Sequence, residues 1–134
     1  MIAHGTFTVT AFVPTDVSPA TVGALPVGVA LIDKSFDGEV VGTSTAIFTS
    51  AFDQEAGVGT YTALESFEGT LNGLAGGFSF IRTASTAGDD RSNEWFLIVP
   101  ASGTGELRDI RGTGLLAVVG DDHTITFDFE LIAD

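Results

Sequence analysis

Cysteine is absent from the 134-residue sequence and basic residues are scarce, and each shortage excludes a class of function. Without cysteine the chain can form no disulfide, no thiolate metal site and no cysteine nucleophile. Five Lys and Arg stand against eighteen Asp and Glu, which gives a formal net charge of −13. Nucleic acids and anionic membranes are bound through Lys and Arg that neutralise phosphates, so we expect neither as a partner. The acidic surface favours solubility.

The sequence also has no long hydrophobic run and no visible targeting signal. Its most apolar stretch, residues 22–32, is interrupted by Gly23, Pro26 and Gly28 and is too short to span a bilayer. The first twelve residues contain no Lys or Arg and no long apolar run, unlike a signal peptide. We therefore expect a soluble, cytoplasmic protein.

Helical spacing is missing as well, whereas alternation with a period of two runs through most of the chain. In HTITFDFEL, one face of a strand would carry Ile125, Phe127, Phe129 and Leu131, and the other face would carry Thr and acidic residues. The opening GTFTVTAF alternates in the same way, and Thr, Val, Phe and Ile are residues that strands favour. The sequence therefore predicts an all-β protein.

Turn residues divide the chain into short strands. The strongest signal is Asn72-Gly73, because both central residues of a type I′ turn need positive φ; Asp37-Gly38 and two Gly-Asp-Asp triplets mark further reversals. These turns give eight predicted strands, and the chain is predicted to form one domain, residues 1–134. Many short antiparallel strands in so small a chain predict a closed barrel or a sandwich. Glycines within the strands favour the barrel, because tight curvature needs residues without Cβ. The predicted strands are residues 5–13, 28–37, 39–50, 59–71, 74–85, 94–100, 111–119 and 122–132.

The glycine-rich segment GTGELRDIRGTG, residues 103–114, could bind a phosphate or could only turn the chain. A Walker-type loop needs Gly-Lys-Ser/Thr at its end, and this segment has no lysine. A dinucleotide fingerprint opens a helix, whereas the residues that follow here, GLLAVVG, have the composition of a strand. We therefore interpret these glycines as a turn.

Five blocks in order cover nearly the whole chain: GTFTVT, KSFDGEVVGTSTA, ALESFEGTLNGLAGGF, VPASGTGELRDIRGTG and HTITFDFEL. Together they resemble the DUF3224 family, small bacterial proteins of uncharacterised function. That family is similar in fold to allene oxide cyclase, an eight-stranded antiparallel β-barrel with a central cavity, comparable to a lipocalin. The resemblance therefore implies this barrel. It also implies that the chain can form a homo-oligomer through an outer face of the barrel.

Two charged residues fall on the apolar face of neighbouring strands and are the candidate catalytic residues. Glu65 shares the parity of Tyr61 and Phe67, and Arg82 shares that of Phe78 and Phe80, so both charges would point inward. Pairing about the Asn72-Gly73 turn places Arg82 opposite residue 63, diagonal to both Glu65 and Tyr61. A bulge at Gly76-Gly77 would invalidate this parity.

The inward Glu65 and Arg82 allow two interpretations. In the functional one they line a cavity: an apolar pocket favours the protonated form of a carboxyl, which suits it to proton transfer, and a guanidinium can bind a ligand carboxylate or enolate. In the structural one they form a buried ion pair. The sequence leaves both open.

Aromatic residues supply the rest of a predicted pocket for a small, apolar, oxygen-bearing molecule. Three functions remain open. The protein could catalyse a cyclisation or isomerisation without cofactor, or it could carry a ligand without catalysis. It could also be an interaction module whose barrel is filled by side chains. No metal site is predicted, because the two histidines are far apart and the Asp pairs lack a calcium-loop pattern. No Gly-x-Ser-x-Gly elbow exists for a hydrolase. The candidate ligand-binding residues are Tyr61, Phe67, Phe78, Phe80, Phe96 and His123.

Overall fold

Eight antiparallel strands form one sheet that closes nearly into a barrel, as the alternation predicts. The computed structural model describes residues 1–133. Within that range, the only other regular element is a single 3-10 turn at Gly105–Leu107. The strands are β1 (Ile2–Pro14), β2 (Val27–Gly38), β3 (Val40–Asp53), β4 (Val58–Leu71), β5 (Leu74–Ala87), β6 (Asp90–Ile98), β7 (Ile110–Val119) and β8 (Asp122–Leu131).

All eight predicted strands are present, and the largest difference lies in β6, which begins at Asp90 rather than at residue 94. The polar residues 88–93 indicate a loop by composition, yet the β5–β6 hairpin stays paired as far as Ala87 opposite Asp90. Asn93 has a φ of +55°, and the register shifts between Thr83 and Ser85. The β5–β6 pairing therefore contains a β-bulge, and β6 includes the polar residues instead of beginning after them.

The strand order is β6-β5-β4-β3-β2-β1-β8-β7, so β1 pairs with both β2 and β8, and β6 and β7 are the two edges. The Asn72-Gly73 turn joins β4 to β5 as predicted, with φ of +50° and +83°. Its pairing continues without a shift from Leu71 opposite Leu74 to Val58 opposite Ala87. The bulge considered at Gly76-Gly77 is therefore absent from this register.

One end of the barrel is filled by a hydrophobic core, which we call the closed end. Its fourteen buried residues include Phe67, Phe78, Phe80, Phe96 and Phe127. The predicted turn at residues 103–114 caps this end: Leu107 is fully buried in the core, the Gly77 N–H donates to Thr104 Oγ1 at 2.8 Å and the Ala75 N–H donates to Glu106 Oε1 at 3.1 Å. Residues 103–109 turn the chain, as predicted, whereas Gly112 and Gly114 lie within β7, where the prediction of a turn is wrong.

The seam between the edge strands β6 and β7 is filled by a side chain. An added Cβ at Gly114 of β7 would lie 2.6 Å from ring carbons of Phe96 of β6. Phe96 in turn stacks on Phe80, with ring centroids 4.9 Å apart. The missing side chain at Gly114 therefore lets an aromatic ring lie where the ladder of hydrogen bonds ends.

We expect Gly114→Val to lower the free energy of unfolding by about 1–3 kcal/mol, because the new side chain overpacks the seam. Urea denaturation measures this change. Gly28→Val is the matched control, since nothing lies within 4 Å of an added Cβ at Gly28, and it should change stability by less than about 0.5 kcal/mol. Equal losses in the two variants would contradict this description of the seam.

The outer face of the barrel carries a row of apolar residues directly opposite one another on four adjacent strands. Leu31 pairs with Ile47, Ile47 with Leu64, and Leu64 with Ile81. Leu31, Ile47 and Leu64 are 41%, 52% and 46% exposed. The predicted self-association stays a prediction, and this row is the surface to which it points.

In residues 1–133, no helix is long and apolar enough to cross a membrane.

Candidate functional site

A buried cluster of charged residues lies above the closed-end core. Glu65 is fully buried. Its Oε1 accepts a hydrogen bond from Lys34 Nζ at 2.9 Å and lies 3.5 Å from Arg82 Nη2. Its Oε2 accepts a hydrogen bond from the Ser44 hydroxyl at 2.6 Å. One carboxylate thus faces two cations, all of them nearly excluded from solvent; we call these four residues the charged cluster.

Strand register brings the charged cluster together. Arg82 stands opposite Ala63, as predicted from the Asn72-Gly73 turn, and is therefore diagonal to Glu65. On the other side, Glu65 stands opposite Ala46 of β3, and Ser44 of β3 stands opposite Lys34 of β2. Because side chains two residues apart share a face, Lys34 reaches Glu65 across the intervening strand.

A cavity of about 440 Å³ lies above the charged cluster, toward the open end of the barrel. We call it the mouth cavity. Its volume falls within the range of small-molecule sites. The residues that line it are Phe7, Val9, Phe12, Ile32, Lys34, Tyr61, Arg82, Asp89, Arg91, Leu116, Ala117, Val118 and His123.

Tyr61 stands at the side of the mouth cavity between two arginines. Its hydroxyl accepts hydrogen bonds from Arg82 Nη1 at 3.1 Å and from Arg91 Nη2 at 2.6 Å. Both guanidinium groups also lie over its ring, 5.5 and 5.6 Å from the centroid. Arg91 forms an ion pair with Glu94. Three of the five basic residues of the chain, Lys34, Arg82 and Arg91, therefore line one cavity.

The predicted site residues fall into two groups. Tyr61, Arg82 and His123 line the mouth cavity. The His123 and Phe7 rings form a T-shaped pair there, with centroids 5.3 Å apart. Glu65 lies directly beneath it. The other predicted ligand-binding residues, Phe67, Phe78, Phe80 and Phe96, belong to the closed-end core and are not among the cavity's lining residues. Their predicted contact with a ligand stays a prediction.

Lys34, Ser44 and Arg91 belong to the site but were not singled out by the sequence analysis. A signal existed for Lys34, because Ala30, Ile32, Lys34 and Phe36 share one parity of β2 and all are buried. The run of polar residues around Arg91 indicates a loop, and only the β5–β6 pairing carries its side chain to Tyr61.

The surroundings of Lys34 in the charged cluster shift the pKa of its amine. Burial lowers the pKa of its amine from the usual 10.5, the Glu65 carboxylate opposes this shift, and the Arg82 guanidinium adds to it. Among the described residues, Arg82 Nε has no hydrogen-bond partner. The cluster thus holds more positive than negative charge beneath the mouth cavity, which can stabilise negative charge on a ligand.

Within residues 1–133, no group of three or more His, Cys, Asp or Glu residues is placed to hold a metal ion.

The family model for proteins of unknown function named DUF3224 matches residues 3–129. The chain belongs to the DUF3224 family. It is also similar to the crystal structure of a DUF3224 protein of unknown function from Shewanella oneidensis MR-1, at 28% sequence identity and a TM-score of 0.87. That match covers 99% of this chain and 98% of the other. No curated protein matches the chain. Membership of the DUF3224 family therefore assigns no function to the chain, and the site is the basis for inferring one.

Proposed function

We propose that this DUF3224 protein binds a small, apolar, oxygen-bearing molecule in the mouth cavity. One observation carries the proposal: an apolar cavity of about 440 Å³ ends on a floor where Lys34 and Arg82 present positive charge. Phe7, Ile32 and Leu116 offer apolar surface to the body of such a ligand. The barrel holds the cavity on paired strands, so little ordering is needed on binding.

The polar end of the ligand faces the charged cluster in this proposal. Arg82 and Arg91 bring guanidinium donors to the cavity, and guanidinium groups match the planar geometry of a carboxylate or enolate. Glu65 neutralises only one of the two buried cations. A ligand with an anionic oxygen therefore fits the site better than a neutral one of the same length.

We expect decanoate to bind about 10–100-fold more tightly than decanol, because a hydrogen bond to a charged group contributes about 1.5–3 kcal/mol. Isothermal titration at physiological salt measures both affinities; the salt screens the repulsion between the acidic surface and the carboxylate. Native mass spectrometry of the gently purified protein comes first, since a retained small molecule would obstruct the titration and reveal its class.

Arg91→Gln should reduce the preference for decanoate, and Arg108→Gln should not. Both variants remove one positive charge, but Arg91 lines the mouth cavity and Arg108 lies at the closed end. Failure of decanoate, decanol and apolar dyes to bind would refute the proposal and favour an interaction module with a filled barrel. Equal affinities for the two ligands would refute the anionic polar end.

Catalysis at the same site is a second candidate, favoured by the 2.9 Å contact between Lys34 Nζ and Glu65 Oε1. A proton can move along that contact while Arg82 stabilises negative charge developing on the ligand, as an isomerisation or cyclisation without cofactor requires. The likeness to the allene oxide cyclase barrel supports this only by analogy. Exchange of the α-protons of 2-decanone for deuterium in D₂O tests this candidate. If the protein does not accelerate the exchange over buffer, catalysis is refuted and ligand carriage remains as the proposed function.

A further inference from the structure

Lys34 is the only lysine in the sequence. An exposed lysine is a common solubilising residue, but this one is 3% exposed and forms part of the floor of the mouth cavity. Burying a cation is costly unless it is paired. The single primary amine among the side chains is therefore placed where an apolar ligand would meet it.

We propose that Lys34 is a nucleophile that captures an apolar aldehyde or ketone in the mouth cavity as an imine. This inference rests on the proposed function, because it needs the same cavity to hold an apolar ligand. It goes further by assigning a covalent step to one atom, Lys34 Nζ, and a chemical class, an apolar carbonyl compound, to the ligand.

The surroundings of Lys34 make its ammonium easier to deprotonate to the nucleophilic amine than that of an exposed lysine. Lysine nucleophiles in proteins are activated by desolvation in an apolar pocket or by a neighbouring cation. Both conditions hold here: Lys34 is buried, with Nζ 4.7 Å from the centroid of the Phe7 ring, and Arg82 belongs to the same charged cluster. Burial and the Arg82 charge each lower the pKa of the Lys34 amine, against the Glu65 carboxylate.

Glu65 is positioned to accept and return the proton that imine formation requires. Its Oε1 lies 2.9 Å from Lys34 Nζ, within the distance for direct proton transfer. After Glu65 takes a proton from the ammonium, the amine nitrogen attacks the carbonyl carbon and forms a carbinolamine. The carbinolamine forms as the added N–H proton moves to the alkoxide oxygen. Its hydroxyl then takes the proton held by Glu65 and leaves as water, a carbon–nitrogen double bond forms, and Glu65 is again a carboxylate. One carbonyl and one lysine ammonium give one protonated imine and one water, with no oxidant or reductant.

Ser44 and Arg82 keep the Glu65 carboxylate in place during these steps. The Ser44 hydroxyl holds Oε2 at 2.6 Å, which leaves Oε1 directed at Lys34. Arg82 extends from the same cluster to Tyr61 and can stabilise negative charge on the carbonyl oxygen as it forms. Ser44 is therefore a positioning residue in this proposal, whereas Arg82 acts on the carbonyl oxygen directly.

Reductive trapping with decanal and sodium cyanoborohydride tests the inference on the full-length protein. A trapped imine adds the mass of the aldehyde less one oxygen atom, and peptide mapping locates it. Besides Lys34, the chain has one primary amine, that of Met1, which donates a hydrogen bond to the Phe129 carbonyl oxygen. We expect labelling of Lys34 at least about tenfold faster than of Met1, because the cavity holds the aldehyde beside the amine.

Two controls locate the reaction within the cavity. Excess decanol, which cannot form an imine, should protect Lys34 from decanal. Lys34→Arg keeps a positive charge but should abolish the adduct at residue 34, and peptide mapping of the unsubstituted protein gives the same assignment if that variant fails to fold.

Labelling at Met1 alone, or at both amines at similar rates, would overturn the proposed role of Lys34. Binding of decanal without any trapped adduct would also overturn it while leaving the proposed function intact. If neither decanal nor decanol binds, both proposals fail.

Discussion

Glu65→Gln should lower the free energy of unfolding by about 3–5 kcal/mol, because it leaves two buried cations without their carboxylate. Lys34 and Arg82 are 3% and 7% exposed, and Glu65 is the carboxylate that pairs with both. Glutamine is nearly the same size as glutamate, so the substitution leaves no void in the core, and the expected loss comes from the missing charge. Urea denaturation followed by circular dichroism measures the change.

Lys34→Met should cost less than Glu65→Gln, since Arg82 would still lie 3.5 Å from the Glu65 carboxylate. The double variant should therefore be more stable than the sum of the single losses indicates. Glu68→Gln is the matched control, because Glu68 is exposed on the same strand and its replacement should change stability by less than about 0.5 kcal/mol. A loss below about 1 kcal/mol for Glu65→Gln would contradict a buried, charged cluster.

Phe127→Ala should lower the free energy of unfolding by about 3–5 kcal/mol, because it removes the central ring of the closed-end core. Phe127 is fully buried. Its ring contacts those of Phe78, Phe80 and Phe96, with centroids 5.3, 5.3 and 5.7 Å away. The lost burial and the cavity left behind both contribute, and urea denaturation reports their sum.

Phe12→Ala is the control for Phe127→Ala, since the Phe12 side chain is 55% exposed. Truncation there removes little buried surface, and we expect a loss below about 1 kcal/mol. Phe12 lines the mouth cavity, so the same variant should weaken the binding of decanol. Similar losses of stability for the two phenylalanines would mean that the closed-end core does not dominate the stability of the barrel.

The charged cluster divides the interior of the barrel into two parts with different roles. Below it, phenylalanines fill the closed end and stabilise the fold. Above it lies the mouth cavity, which Lys34 and Arg82 of the cluster help to line. The structural and functional interpretations of Glu65 and Arg82 are therefore compatible, because a buried ion pair can also place positive charge at the floor of the cavity.

Local sequence patterns were sufficient for the strands and for one half of the site. Alternation identifies which side chains face inward, since a strand has a period of two whatever it pairs with. The Asn72-Gly73 turn then sets the register of its own hairpin, and this placed Arg82 opposite Ala63 and beside Glu65 and Tyr61. The inward direction of Phe67, Phe78 and Phe80 was also correct, and all three are buried.

Only the closed tertiary structure could separate the residues that line the mouth cavity from those that fill the core. Alternation tells whether a side chain points inward, but its depth along the barrel axis depends on the register of all eight strands. Lys34 joins Glu65 through pairings between β2, β3 and β4 that no single turn determines. The capping segment decides which end is closed, because Leu107 enters the core there. Direction is a local property of a strand, whereas depth and the shape of the cavity are long-range properties of the closed sheet.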